Sequence, residues 1–116
     1  MEGVRPGPSR QKRPGRVIQI ECRTADELVS EEAVPPPSVV KIDTEGHEPA
    51  VLRGMEKTIR NHKPKIFFEH ISMTDEEILQ SVPDGYELYT VADSDGELHA
   101  GFNRSIGHNS ALIPPA

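Results

Sequence analysis

The stretch Pro37–His70, PSVVKIDTEGHEPAVLRGMEKTIRNHKPKIFFEH, constrains the fold of this chain more than any other part of it. Val39, Val40 and Ile42 form a short β-branched run that gives way, after Asp43-Thr44-Glu45-Gly46, to a helical pattern. Pro49 suits the first helical position, where its missing N–H and fixed φ cost nothing. Val51, Leu52, Met55 and Ile59 then recur on one face. Glu48 complements the positive end of that helix, and Lys57, Arg60 and Lys63 the negative end. Pro64 biases Lys63 out of helical geometry, so one helix is expected over Pro49–His62. Lys65-Ile66-Phe67-Phe68 reads as a second strand ending at Glu69-His70. Strand, helix and strand within roughly 34 residues is the length of a βαβ unit, with parallel strands and a right-handed crossover. Ligands of such sheets bind outside the carboxyl ends of the strands, where Asp43, Glu45, Glu69 and His70 are expected.

A length of 116 residues allows one small domain. A hydrophobic fraction of 34%, with 4% aromatic residues, predicts a thin core. The formal charge of −6 is unevenly spread. Residues 1–16 set five basic side chains (Arg5, Arg10, Lys12, Arg13, Arg16) against Glu2 alone, a formal +4; the remainder, with 8 basic and 18 acidic residues, carries −10. So acidic a body repels a phosphate backbone, which argues against nucleic acid as a partner. Cys22 is the single cysteine, excluding an intrachain disulfide and a thiolate metal cluster; it reads equally as a buried apolar residue or a reactive thiol. There is no apolar run of membrane-spanning length and no signal-peptide pattern, so no membrane is expected as a partner and a cytoplasmic chain is the expectation.

Residues 1–16, rich in Gly, Pro and Arg, read as a disordered basic leader, with a domain over residues 17–116. Val17–Cys22 has strand propensity. Thr24 and Glu27 have capping-box spacing ahead of a short helix that Pro35-Pro36-Pro37 must end, and Thr74 and Glu77 repeat the box, with Met73 and Ile78 at the positions of a hydrophobic staple. Tyr86–Val91 and Leu98–Phe102, joined across Ser94-Asp95-Gly96, predict an antiparallel hairpin. The tail after Asn103 reads as turn-like.

Asp43 and Glu45, two residues apart after a strand, can orient a hydroxyl or amine or accept its proton, and Gly46 permits a turn that brings backbone N–H groups towards a ligand. The bland alternative is that both carboxylates only cap the helix. Lys41, between Val40 and Ile42, needs a carboxylate partner or a sheet edge from which to reach water. His70 can act as acid or base near neutrality and Glu69 can position a ligand, although such a pair is as often structural. His47, His62, His99 and His108 have no metal-ligand spacing, so no metal is expected. Nor does any glycine-rich turn join a strand to a helix.

The segment VVKIDTEGHEPAVLRGMEKTIRNHKPKIFFEH resembles the signature region of the FkbM family of S-adenosylmethionine-dependent methyltransferases: a strand ending in KID-x-EG, a helix containing L-x-G, and a strand after Lys-Pro. Thr24–Leu28 is similar to the family's TLDEL segment, with Ala25 for leucine, and GYELY resembles its C-terminal part. The resemblance implies a partial Rossmann-like class I methyltransferase fold of the α/β class. That fold's sheet order is 3-2-1-4-5-7-6, and the chain would carry its C-terminal half, a central βαβ plus an antiparallel hairpin. Val39–Asp43 would be its fourth strand, Ile66–Glu69 its fifth, and Tyr86–Val91 with Leu98–Phe102 its sixth and seventh. It also implies O-methylation of a small molecule or sugar, with Asp43, Glu45 and His70 as catalytic candidates and Lys41, Gly46 and Glu69 on the rim of the site. The family's cofactor is S-adenosylmethionine, but its glycine-rich motif is absent from this sequence. The expectation is therefore a domain truncated at its N-terminal side that does not bind the cofactor alone. The alternative is an inactive remnant that associates with another protein, or with itself, through an open sheet edge.

Overall fold

The computed structural model describes residues 22–116; the leader and most of the strand expected at Val17–Cys22 lie outside the described residues. The chain begins with helix α1 (Ala25–Ser30), then strand β1 (Val39–Ile42), helices α2 (Glu48–Arg53) and α3 (Glu56–His62), and strand β2 (Lys65–Glu69). Helix α4 (Asp75–Gln80) and strands β3 (Glu87–Val91), β4 (Leu98–Ala100) and β5 (Asn109–Ile113) complete it. This is a mixed α/β domain with an open five-stranded sheet in the order β1-β2-β5-β3-β4.

The expected βαβ unit is present: β1 and β2 pair in parallel, with Val39 opposite Lys65 and Ile42 opposite Phe68. Its crossover is two helices rather than one. Gly54 ends α2, and a Cβ there would lie 3.2 Å from the Thr24 side chain, so glycine admits the start of α1 at the break. The freed N-terminus of α3 is capped from α1. The Asp26 carboxylate accepts from Lys57 N (3.0 Å), Thr58 N (2.7 Å) and the Thr58 hydroxyl (2.7 Å), and Asp26 N donates to Gly54 O (3.0 Å). Both expected capping boxes form, at Thr24/Glu27 and Thr74/Glu77, and the staple residues Met73 and Ile78 are buried. Pro64 does stop α3, with Lys63 in the left-handed region at φ 49°.

The expected hairpin also forms, β3 pairing antiparallel with β4, although β4 stops at Ala100 rather than Phe102. The tail read as turn-like is the main correction. Asn109–Ile113 is a strand inserted between β2 and β3, antiparallel to both. It, and not Leu98–Phe102, is the neighbour of β2, so the expected assignment of Leu98–Phe102 to the family's seventh strand fails. Ser110, Ala111 and Leu112 are fully buried, and β5 obtains hydrogen bonds from both sides, so pairing rather than local propensity decides its conformation.

Val40 and Ile42 of β1 share a face with Ile66 and Phe68 of β2 and Leu112 of β5, against Leu52, Met55, Ile59, Met73 and Ile78. Tyr86 joins this core and donates its hydroxyl to Pro64 O (2.7 Å), tying the entrance of β3 to that of β2. Lys41 occupies the opposite face of β1, which among the described residues is an edge strand. It is exposed, with Nζ 3.9 Å from the Asp43 carboxylate, so both ways of accommodating a strand lysine are used. Among the described residues no helix is long and apolar enough to cross a membrane.

Candidate active site

Pairing register assembles one rim from residues far apart in sequence. Ile42 lies opposite Phe68, Glu69 opposite Asn109, Asn109 opposite Val91, and Val91 opposite Leu98. Asp43, Glu69, Asn109, Val91 and Leu98 are therefore the last row of the sheet. The next row follows through His70 N to His108 O (2.9 Å) and Ala92 N to Glu97 O (2.9 Å). Asp43, Glu45, Glu69 and His70 lie on this edge, with His108 and Asp93 beside them.

On the β1 side the rim is a turn of unusual backbone. Glu45 has φ 53° and Gly46 φ 114°. A left-handed glutamate costs about 1 kcal/mol, so something must hold it. Glu48, only 1% exposed at the start of α2, accepts from Gly46 N through Oε1 at 3.0 Å. Asp43 and Glu45 themselves are exposed. Sequence reasoning gave Glu48 only a role at the helix end; its position directly after Glu45-Gly46-His47 was the available signal.

On the β2 side His70 is 1% exposed. Its Nε2 lies 2.9 Å from Gly107 O and its Nδ1 2.7 Å from the Ser110 hydroxyl. A carbonyl only accepts, so Nε2 carries the proton and Nδ1 accepts from Ser110. Both ring nitrogens are thus committed, and Phe102 packs edge-on against the ring with centroids 4.9 Å apart. Burial above all, with the nearby charge of Arg104 adding to it, holds the His70 pKa below its ordinary 6.5 despite the Gly107 hydrogen bond. Arg104 closes this corner: its guanidinium donates to His70 O, Met73 O and Asp75 Oδ1 and lies 5.0 Å from the Phe102 ring centroid.

Residues 106–108 press against the end of β3. A Cβ on Gly107 would stand 1.9 Å from Val91 O, so only glycine fits. Asp93 N donates to Ile106 O (3.1 Å), His108 N to Asp93 Oδ1 (3.3 Å), and Asp93 Oδ2 lies 2.7 Å from His108 Nδ1. The signals that bring Asp93, Arg104, His108 and Ser110 to the rim are wholly tertiary, since each depends on β5 lying beside β2. Among the described residues no cluster of ligating side chains suits a metal ion. A groove of about 760 Å³ between α2–α3 and α4, lined by Leu52, Ile59 and Tyr86, includes none of the rim residues.

With this geometry in place, the comparison with known families is decisive. The family model described as "Methyltransferase FkbM domain" matches residues 2–102. The chain belongs to the FkbM methyltransferase family. The match takes in the leader that sequence reasoning set apart and ends before β5. The hexuronic acid methyltransferase AglP of Haloferax volcanii is 48% identical over 44 residues, which are 38% of this chain and 18% of that protein. No solved structure matches. FkbM-family methyltransferases use S-adenosylmethionine. The described residues do not fit that cofactor's nucleoside by themselves: the turn from β1 to α2 offers a single glycine, Gly46, among the carboxylates Asp43, Glu45 and Glu48.

Proposed function

We propose that this rim is the acceptor side of an S-adenosylmethionine-dependent O-methyltransferase acting on a small molecule or sugar. The observation that carries the reading is the Asp43–Gly46 turn, where the motif shared with the family sits at the carboxyl end of a parallel pair in a backbone conformation that Glu48 holds. The run β1-β2-β5-β3 supports it, since it has the order and directions of strands 4-5-7-6 in the class I methyltransferase sheet. In this reading Asp43 and Glu45 orient the acceptor, and Lys41, Gly46 and Glu69 border it. His70 stiffens the rim rather than serving as the base, because neither ring nitrogen is free. The name of the similar AglP protein makes a hexuronic acid the first acceptor to try.

Titrating the ¹⁵N-labelled chain with methyl β-glucuronide should shift amides at residues 43–46 and 69–70, and Asp43→Asn should weaken that binding at least tenfold with little change in stability. Shifts confined to the groove at Leu52 and Tyr86 instead would refute the site. The described residues are not expected to bind the cofactor alone; calorimetry with S-adenosylmethionine should show no saturable binding tighter than about 100 μM, roughly −5.5 kcal/mol.

A further inference from the structure

We infer that His108, oriented by Asp93, is the proton-accepting group of the rim and that its ligand is a hydroxyl. This rests on the acceptor-side reading above. Asp93 Oδ2 at 2.7 Å from Nδ1 requires the proton of the neutral ring to sit on Nδ1, which leaves the lone pair on Nε2. Among the described residues no hydrogen bond engages Nε2, and the side chain is 60% exposed, so a ligand can reach it. An imidazole with one nitrogen held by a carboxylate and the other bare is the arrangement of a general base.

An exposed histidine–aspartate contact is usually a weak surface pair. What separates this one is how firmly its backbone is fixed. Gly107 is wedged against Val91 O, its own carbonyl accepts from His70 Nε2, His108 O accepts from His70 N, and Asp93 N is bound to Ile106 O. Four constraints from the ends of β2 and β3 thus fix the backbone of residues 106–108 that carries His108, the precision that general-base chemistry demands. His70 accordingly acts as a positioning residue behind His108. The charged and titratable groups around the His108 ring and its supports are Asp93 after β3, His70 after β2 and Arg104 in the same loop. His108 lies two strands from the β1 turn, about 10 Å at roughly 4.8 Å per strand. A sugar-sized acceptor spans that distance, held by Asp43 and Glu45 at one end with a hydroxyl on Nε2 at the other. The proton passes from the hydroxyl to Nε2 and the electron pair of the O–H bond stays on oxygen, which becomes the nucleophile. A carboxylate acceptor has no such proton to give.

The test is side-chain ¹⁵N NMR of the whole chain with methyl β-glucuronide as probe. His108 should show a protonated Nδ1 and a bare Nε2 when neutral. The sugar should move the Nε2 resonance, and both His108→Gln and Asp93→Asn should weaken its binding about tenfold, Asp93→Asn also shifting the tautomer. If the sugar shifts the amides of residues 43–46 but leaves Nε2 and the variants' affinity unchanged, the dyad falls and the acceptor site stands. If it shifts neither, both fall. A neutral His108 carrying its proton on Nε2 would overturn the proposal regardless of binding.

Discussion

The two sides of the rim belong to one sheet edge but are finished differently. Beside β1, Asp43 and Glu45 stand exposed in a turn restrained by a single buried carboxylate, Glu48. Beside β5, His70, Ser110, Gly107, Arg104 and Asp93 form a connected network with buried members. The parallel side offers exposed charge on a short turn; the antiparallel side offers a buried, hydrogen-bonded frame. The difference makes opposite demands on mutation.

The largest expected effect is on the fixed side. His70→Ala removes a buried ring and strands the Ser110 hydroxyl and Gly107 carbonyl, which should cost about 3 kcal/mol or more, whereas Asp43→Ala should cost under about 0.5 kcal/mol. Urea denaturation of both variants checks the contrast, and equal losses would erase it. Gly107→Ala comes next: relieving a 1.9 Å overlap with Val91 O requires backbone movement, at a cost of about 1–3 kcal/mol. It should also broaden or move the His108 resonances, while a glycine replaced in the open hairpin loop, Gly96→Ala, should not.

His70 also makes stability depend on pH. Its folded pKa lies below its ordinary 6.5, so the unfolded chain binds the proton first. Stability should therefore be steady above about 6.5 and fall as the pH drops below it, until the folded pKa is reached. A His70→Asn variant should lack that component of the slope when melting is followed between pH 7.5 and 5. Asp26 acts in a lower window. Burial pushes its carboxyl up, but the Lys57 and Thr58 donors outweigh this and hold it below 3.8. Its contribution is present above that value and is lost as acid takes the pH through the folded pKa. Asp26→Ala should cost about 1–2 kcal/mol at neutral pH without touching the rim. The smallest expected effect is at the β1 edge, where Val39 is 59% exposed. If the edge supports self-association, Val39→Lys should shift sedimentation towards monomer, and no change at millimolar concentration would remove that role.

Much of the parallel half was legible because its determinants are local. The β-branched run before Asp43, Pro64 and the two threonine capping boxes each act within a few residues and each produced the expected element, and the apolar spacing of Leu52, Met55 and Ile59 produced a helical crossover. Lys41 at an edge beside Asp43 was likewise predictable, since a strand lysine has few other solutions. Local pattern did not reveal that Gly54 would divide the crossover, because the reason is Thr24 pressed against it and Asp26 capping α3 from outside. Nor did it reveal β5. Asn109–Ile113 lacks a distinctive period and ends in prolines, and becomes a strand only because β2 and β3 offer hydrogen bonds on both sides. With β5 in place, His70 loses both nitrogens to Gly107 and Ser110, and His108 is carried to Asp93. The sequence by itself thus determined that Asp43, Glu45, Glu69 and His70 would follow the carboxyl ends of two parallel strands. Only the tertiary structure decided which histidine is available there, because a ring nitrogen is freed or occupied by partners 15 to 40 residues away.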